Sequence, residues 1–196
     1  EINFQNLSGL TAISIGAQHS CALDTNGRIW CWGNNEFQQL GLGVGTPSVN
    51  AASTVTIVGE SAERIVAGAS HTCAATVDNA TSVRRFRCWG SNKYRQLGTT
   101  SAQQSFPVPE FSSISFTASD RFSFGYSYSC RLSAGIVTCW GSNGWGNLGQ
   151  ISVPEPTPTA QSSNLPVNVI AIATAPFLSA HTCAIVNDAD KSLYCW

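Results

Sequence analysis

Methionine is absent from this 196-residue chain and charge is scarce: Asp, Glu, Lys and Arg make up 11% of it, well under the usual ~25% of a soluble domain. Ten basic against eleven acidic residues leave a formal charge of −1 and no basic run. That removes the electrostatic footprint that DNA or RNA requires, so no nucleic-acid partner is expected. No stretch approaches the ~20 apolar residues of a membrane span, so no membrane insertion is expected of this segment. A helical hydrophobic period is missing throughout. So are a signal peptide and an initiator methionine; the chain reads as a mature or partial product, and the lack of a targeting segment carries no information.

What the chain does have is a repeat. Gly16, His19, Cys21, Cys31, Trp32 and Gly33 return as Gly68, His71, Cys73, Cys88, Trp89 and Gly90, then as Gly125, Tyr128, Cys130, Cys139, Trp140 and Gly141. A fourth set, His181, Cys183, Cys195 and Trp196, reaches the last residue. The leading cysteines follow one another at 52, 57 and 53 residues, a period that belongs to repeat architectures. After each Cys-Trp-Gly come an aromatic and a Leu-Gly: Phe37 with Leu40-Gly41, Tyr94 with Leu97-Gly98, Trp145 with Leu148-Gly149. Fixed spacing there predicts a packed turn, with glycine where positive φ or close backbone approach is needed. Gly41 to Gly68 and Gly98 to Gly125 are the same distance apart, so across these copies length varies only between the two cysteines of a set, and a loop lies there.

The cysteines can be paired by counting. Opposed residues of a hairpin have a constant number sum, so Cys21 faces Cys31 if Asp24 and Arg28 flank the loop Thr25-Asn26-Gly27, and glycine suits the last position. For Cys130 and Cys139 the same sum leaves the two-residue loop Ala134-Gly135. Opposed Cα atoms about 4.5 to 5.5 Å apart overlap the reach of a disulfide. Four bridges are expected, Cys21 with Cys31, Cys73 with Cys88, Cys130 with Cys139 and Cys183 with Cys195, and with them an oxidising compartment, extracellular or cell-surface. A zinc site per repeat fails, because Tyr128 replaces the histidine and no fourth ligand recurs. No metal or other cofactor is expected.

Period-two segments such as Ile13-Ser-Ile15 and Phe122-Ser-Phe124 read as strands, with Cys21-Ala-Leu and Arg28-Ile-Trp-Cys-Trp as the next two and segments such as Ser53–Val58 and Asn168–Ala173 preceding the glycine. About four short strands per repeat fit an all-β fold, a β-propeller blade each. The division expected is one array: residues 1–12 the tail of a preceding repeat, 13–64, 65–121 and 122–174 three repeats, and 175–196 part of a fourth. The spaced glycines of Gly41-Leu-Gly43-Val-Gly45 open no helix and so do not read as a phosphate loop. Val153–Ser163, rich in Pro, Ser and Thr, reads as a solvated loop able to carry O-linked sugar.

The pattern Gly-x-x-His-Ser/Thr-Cys-Ala, hairpin, Cys-Trp-Gly-x-Asn and Leu-Gly resembles the repeat of the regulator of chromosome condensation family. Its cysteine-bearing form is similar to the ectodomain repeats of plant crinkly-type receptor kinases and of many secreted microbial proteins. The resemblance implies a seven-bladed propeller used as a binding platform, of which this chain would supply about three and a half blades. It also implies either nucleotide exchange on a small GTPase and chromatin docking in the nucleus, or inhibition and recognition outside the cell. Three departures stand out: Leu178 replaces the repeat glycine, Gln38 and Arg95 stand where the family has glycine, and only about half of seven repeats are present. Exposed strand edges should then be covered by the rest of a longer chain that closes seven blades, or by a second chain.

His19, His71 and His181, with Tyr128, share one repeat position, and a structural hydrogen bond inside each blade is expected of them. A catalytic histidine would occur once, beside unlike partners. Trp32, Trp89, Trp140 and Trp196 read as repeat core, while Trp30 and Trp145 are less constrained. Oxidised thiols leave no cysteine nucleophile, so no catalytic residue is expected. Two sequons, Asn6-Leu-Ser8 and Asn79-Ala-Thr81, mark candidate N-glycosylation sites, Asn79 at the tip of the longest hairpin. The leading reading is a secreted or surface-exposed, non-catalytic structural or recognition module whose partner is a protein, another copy or the remaining blades. The alternatives are a propeller lyase or hydrolase using its central channel, with Asp120 or Glu110, and, more remotely, a nuclear exchange factor or chromatin reader.

Overall fold

A computed structural model describes residues 7–100, 104–108, 116–150, 156–162, 165, 168–175 and 181–196, with 104–108 and 157–162 as backbone path. Asn6, Glu110 and Leu178 lie outside the described residues, as do 153–155 and 163 of the stretch read as a solvated loop; the reading is corrected for the rest, because Thr157–Ser162 forms a strand paired in a sheet. Contacts divide the chain into two compact units, residues 1–91 with 101–116 and residues 92–100 with 117–196.

The first unit holds two four-stranded antiparallel sheets. One runs β1 (Leu10–Ile15), β2 (His19–Asp24), β3 (Ile29–Gly33), β4 (Val49–Val55). The other runs β5 (Glu60–Ala67), β6 (His71–Asp78), β7 (Arg84–Gly90), β8 (Gln104–Val108). The second unit repeats the pattern with β9 (Arg121–Phe124), β10 (Tyr128–Ser133), β11 (Ile136–Gly141) and β12 (Thr157–Ser162). Its second sheet has three strands, β13 (Val169–Thr174), β14 (Thr182–Val186) and β15 (Leu193–Cys195). Strand boundaries differ from the repeat division read in the sequence. β5 starts at Glu60, and Val169–Thr174 heads the fourth sheet, because each sheet opens with the strand ahead of the repeat glycine.

Order within each sheet follows chain order, since every connection is a turn or loop between antiparallel neighbours. β2, β6 and β10 are central strands with both faces covered, which is why their sequences, such as Cys73-Ala-Ala, are apolar or small without alternation. Leu23, Ile29, Leu40, Val55, Ile65 and Trp89 form the first unit's core. Tyr128, Leu132, Val137, Leu148, Val169 and Val186 form the second's.

Turn chemistry fixes the registers. Asp24 N donates to Arg28 O at 3.0 Å around Thr25-Asn26-Gly27, and Gly27 takes φ +73°. The Asp24 carboxylate completes the loop by accepting from Asn26 N, Arg28 N and Arg28 Nε. In the second unit Ser133 faces Ile136 around Ala134 and Gly135, both at positive φ, which is type I′ geometry. These registers oppose Cys21 to Cys31, Cys73 to Cys88, Cys130 to Cys139 and Cys183 to Cys195. Each pair is joined, with Cα atoms 4.1 Å apart, and no free cysteine remains.

Candidate functional site

Successive repeats meet at a backbone carbonyl. Gln39 O accepts from Trp89 Nε1 at 2.9 Å and from Thr72 Oγ1 at 2.8 Å. Gln96 O accepts in the same way from Trp140 Nε1 and Ser129 Oγ, both at 2.9 Å. Asn147 O accepts from Trp196 Nε1 at 2.9 Å and Thr182 Oγ1 at 3.1 Å. One turn thus takes an indole and a hydroxyl from the following repeat, and an oxygen with two lone pairs is satisfied twice. Trp89 and Trp140 are fully buried, while Trp32 is 7% exposed and Trp196 half-buried.

At His19 and at Tyr128 the shared repeat position belongs to the same joint, and there the bond runs to the following repeat and not within the blade as expected. His19 Nε2 lies 2.8 Å from Thr72 Oγ1 of the next repeat. In the second unit Tyr128 OH donates to His181 O at 2.7 Å and accepts from Thr182 Oγ1 at 3.1 Å. The repeat glycine makes room for these rings: a Cβ on Gly68 would lie 2.1 Å from His71 Cε1. Burial pushes His19 down to about 4 and, with the charge of His19 adding to it, His71 down to about 3, so both are neutral at physiological pH. Burial raises Tyr128 against the opposing bond from Thr182. His181 is solvent-exposed.

The aromatic of the Cys-Trp-Gly turn does not pack as its spacing suggested. Phe37 is 39% and Trp145 81% exposed. Their backbones are nevertheless fixed: Phe37 N donates to Gln39 Oε1 at 2.9 Å, Tyr94 N to Gln96 Oε1 at 2.9 Å and Trp145 N to Asn147 Oδ1 at 3.3 Å. The buried amide that holds each turn therefore sits on the same residue whose carbonyl takes the next repeat's tryptophan. No side-chain spacing signals a backbone acceptor, so the sequence alone does not disclose this joint.

Several carboxylates with buried side chains, among them Asp24, Glu60 and Asp120, are paired with arginines. Glu60, buried at the start of β5, accepts from Thr76 Oγ1 at 2.6 Å, Arg85 Nη1 at 2.8 Å and the guanidinium of Arg87. Burial alone would raise its carboxyl, yet the bonds from Arg87 and Thr76 hold it below the ordinary range. Asp78 is held down first by Arg85 and then by Thr81. Asp120, a candidate channel acid, is buried and already bound to Arg131 Nε at 2.9 Å, Ser133 Oγ at 2.8 Å and Thr117. Burial would raise it, and the bonds from Ser133 and Thr117 outweigh that. A cavity of about 200 Å³ in the first unit is lined by Asn26, Arg28, Thr54, Ile57 and Glu60, whose carboxylate is thus already engaged. Among the described residues no group of three or more His, Cys, Asp or Glu is placed to hold a metal, and no helix is long and apolar enough to cross a membrane. Asn79 is exposed in the turn after β6, its Oδ1 accepting from Ser61 Oγ at 2.8 Å.

Models of the regulator of chromosome condensation (RCC1) repeat match residues 10–39 and 26–75. The probable E3 ubiquitin-protein ligase HERC4 of Homo sapiens is 31% identical over 154 residues, which are 76% of this chain and 14% of that protein. Human WBSCR16 superposes with a TM-score of 0.75 at 19% identity, over 98% of this chain and 49% of that one. The entire ectodomain of the Physcomitrella patens receptor kinase CR4 gives 0.55 at 21% identity, over 95% of this chain and 41% of that one. The chain thus spans about a seventh of that curated relative and under half of either solved chain. The likenesses show the fold, an all-β propeller segment.

Proposed function

We propose that this array of RCC1 repeats works outside the cell as part of a disulfide-stapled propeller that recognises a partner and carries out no chemistry itself. The observation that supports this reading is one cross-strand bridge in every repeat, six of the eight cysteines being no more than 2% exposed. Bridges closing loops this short contribute about 2 to 3 kcal/mol each, and they persist in oxidising compartments. The crinkly-type ectodomain among the structural neighbours fits the same setting. The joints use carbonyl, indole and hydroxyl in the same roles each time, which suits a rigid scaffold whose exposed turns meet a protein or further repeats. Asn79, exposed in its turn, is the acceptor we assign for an N-linked glycan in a eukaryotic host; Asn6 is a second sequon. Protease treatment of intact cells making the tagged full-length protein tests the reading. Cleavage of the tag without lysis is expected, whereas a protected cytosolic protein with free thiols would end it.

A further inference from the structure

We infer that the Trp145 turn is a stacking platform for a neutral sugar ring. The inference rests on the reading of the chain as a recognition module and gives this one turn a ligand of its own, beside the protein or further repeats that the other exposed turns meet. Trp145 is 81% exposed, more than any other large aromatic among the described residues. An indole left in water forgoes roughly 2 kcal/mol or more of burial, so an exposed tryptophan on a rigid support is the kind of residue that dominates a binding site.

The support is rigid. Gly146 N donates to Asn143 O at 2.9 Å, Gly149 N to Gly146 O at 2.9 Å, and Leu148 N to Asn143 Oδ1 at 3.0 Å. Asn147, fully buried, holds Trp145 N from one side and is clamped by Trp196 and Thr182 from the other. Ligand binding therefore orders little that is not already ordered.

The surroundings choose the chemistry. Ser142 to Gln150 contain no ionisable side chain, so nothing in the turn would compensate a charge on the ligand. Glycine flanks the indole on both sides, and among the described residues nothing lies within 4 Å of where a Gly146 Cβ would be, so a flat ligand can approach. The equivalent Tyr94 differs: the Lys93 ammonium sits 5.3 Å from its ring centroid and occupies a face. A protein hot spot would need a surrounding rim of contacts that excludes water; the glycines on either side provide none. A pyranose needs only the aromatic face for its C–H groups and bulk water for its hydroxyls.

Affinity electrophoresis through gels containing hydroxyethylcellulose, xylan, galactomannan or β-1,3-glucan, with polygalacturonate as the charged control, tests this. Retardation in at least one neutral gel is expected, unchanged by added salt. Trp145→Ala should weaken it about ten-fold, and Trp145→Phe less, because stacking survives in part. No retardation in any neutral gel, equal retardation of Trp145→Ala, or salt-sensitive binding to polygalacturonate alone would overturn it. So would capture of a protein partner through Trp145 without any sugar binding. Cell-surface accessibility is a separate measurement, so failure of the platform leaves the module reading standing.

Discussion

Lowering the pH from neutral to about 5 acts on the first unit through two buried imidazoles. His19 and His71 titrate near 4 and 3 in the folded chain, against ~6.5 when exposed. Between those values the unfolded chain binds more protons than the folded one, so stability falls as pH falls through 6.5. At pH 5 each histidine costs about 2 kcal/mol, the pair about 4, a large part of the 5 to 15 kcal/mol that holds a domain folded. Asp24, Glu60 and Asp120, all held below their ordinary range, act in a different window. What they contribute is complete above about pH 5 and is lost as pH falls through their unfolded values, ~4 to 4.5, towards their folded ones. The second unit has Tyr128 at the histidine position of its first sheet, which does not protonate there. Hydrogen exchange, corrected for its intrinsic pH dependence, should show β2 and β6 losing protection between pH 6.5 and 5 while β10 keeps it. His19→Tyr with His71→Tyr should flatten the loss. Equal acid sensitivity of β10, or an unchanged slope in the double variant, would refute the reasoning.

Gln38 sits at φ +63° with its buried Oε1 lacking a partner among the described residues, where the third repeat has Gly146 at φ +77°; Gln38→Gly should raise stability by about 1 kcal/mol in urea melts. Gly68→Ala should destabilise by about 1 to 3 kcal/mol, since the new Cβ would meet the His71 ring at 2.1 Å; an unaltered midpoint would contradict the packing described. Cys195 is exposed and Cys183 half-buried, so mild reductant followed by alkylation should label that bridge first, whereas labelling of Cys73 or Cys130 ahead of it would contradict the burial pattern.

Much of the fold is legible because hairpin arithmetic is local. The sum that opposes Cys130 to Cys139 also places Ala134-Gly135 in the turn, and the structure has that register. The joint is not legible in the same way. His19 and Thr72 are 53 residues apart, and the oxygen that Trp89 seeks belongs to the backbone of Gln39, whose side chain gives no sign of it. Glu60 pairs with Arg85 and Arg87 across 25 and 27 residues, a match set by β5 and β7 flanking β6 in one sheet. Phe37 and Trp145 keep their spacing for the turn's backbone bonds, so a fixed position there did not mean a buried ring.

Intact mass of the protein from its native source, before and after reduction, reaches the central claim most directly. Two hydrogens for each of the four bridges should add eight on reduction, and non-reduced peptide maps should pair each cysteine only with its partner in the same hairpin. Free thiols in the native material, or a bridge running from one repeat to another, would contradict it.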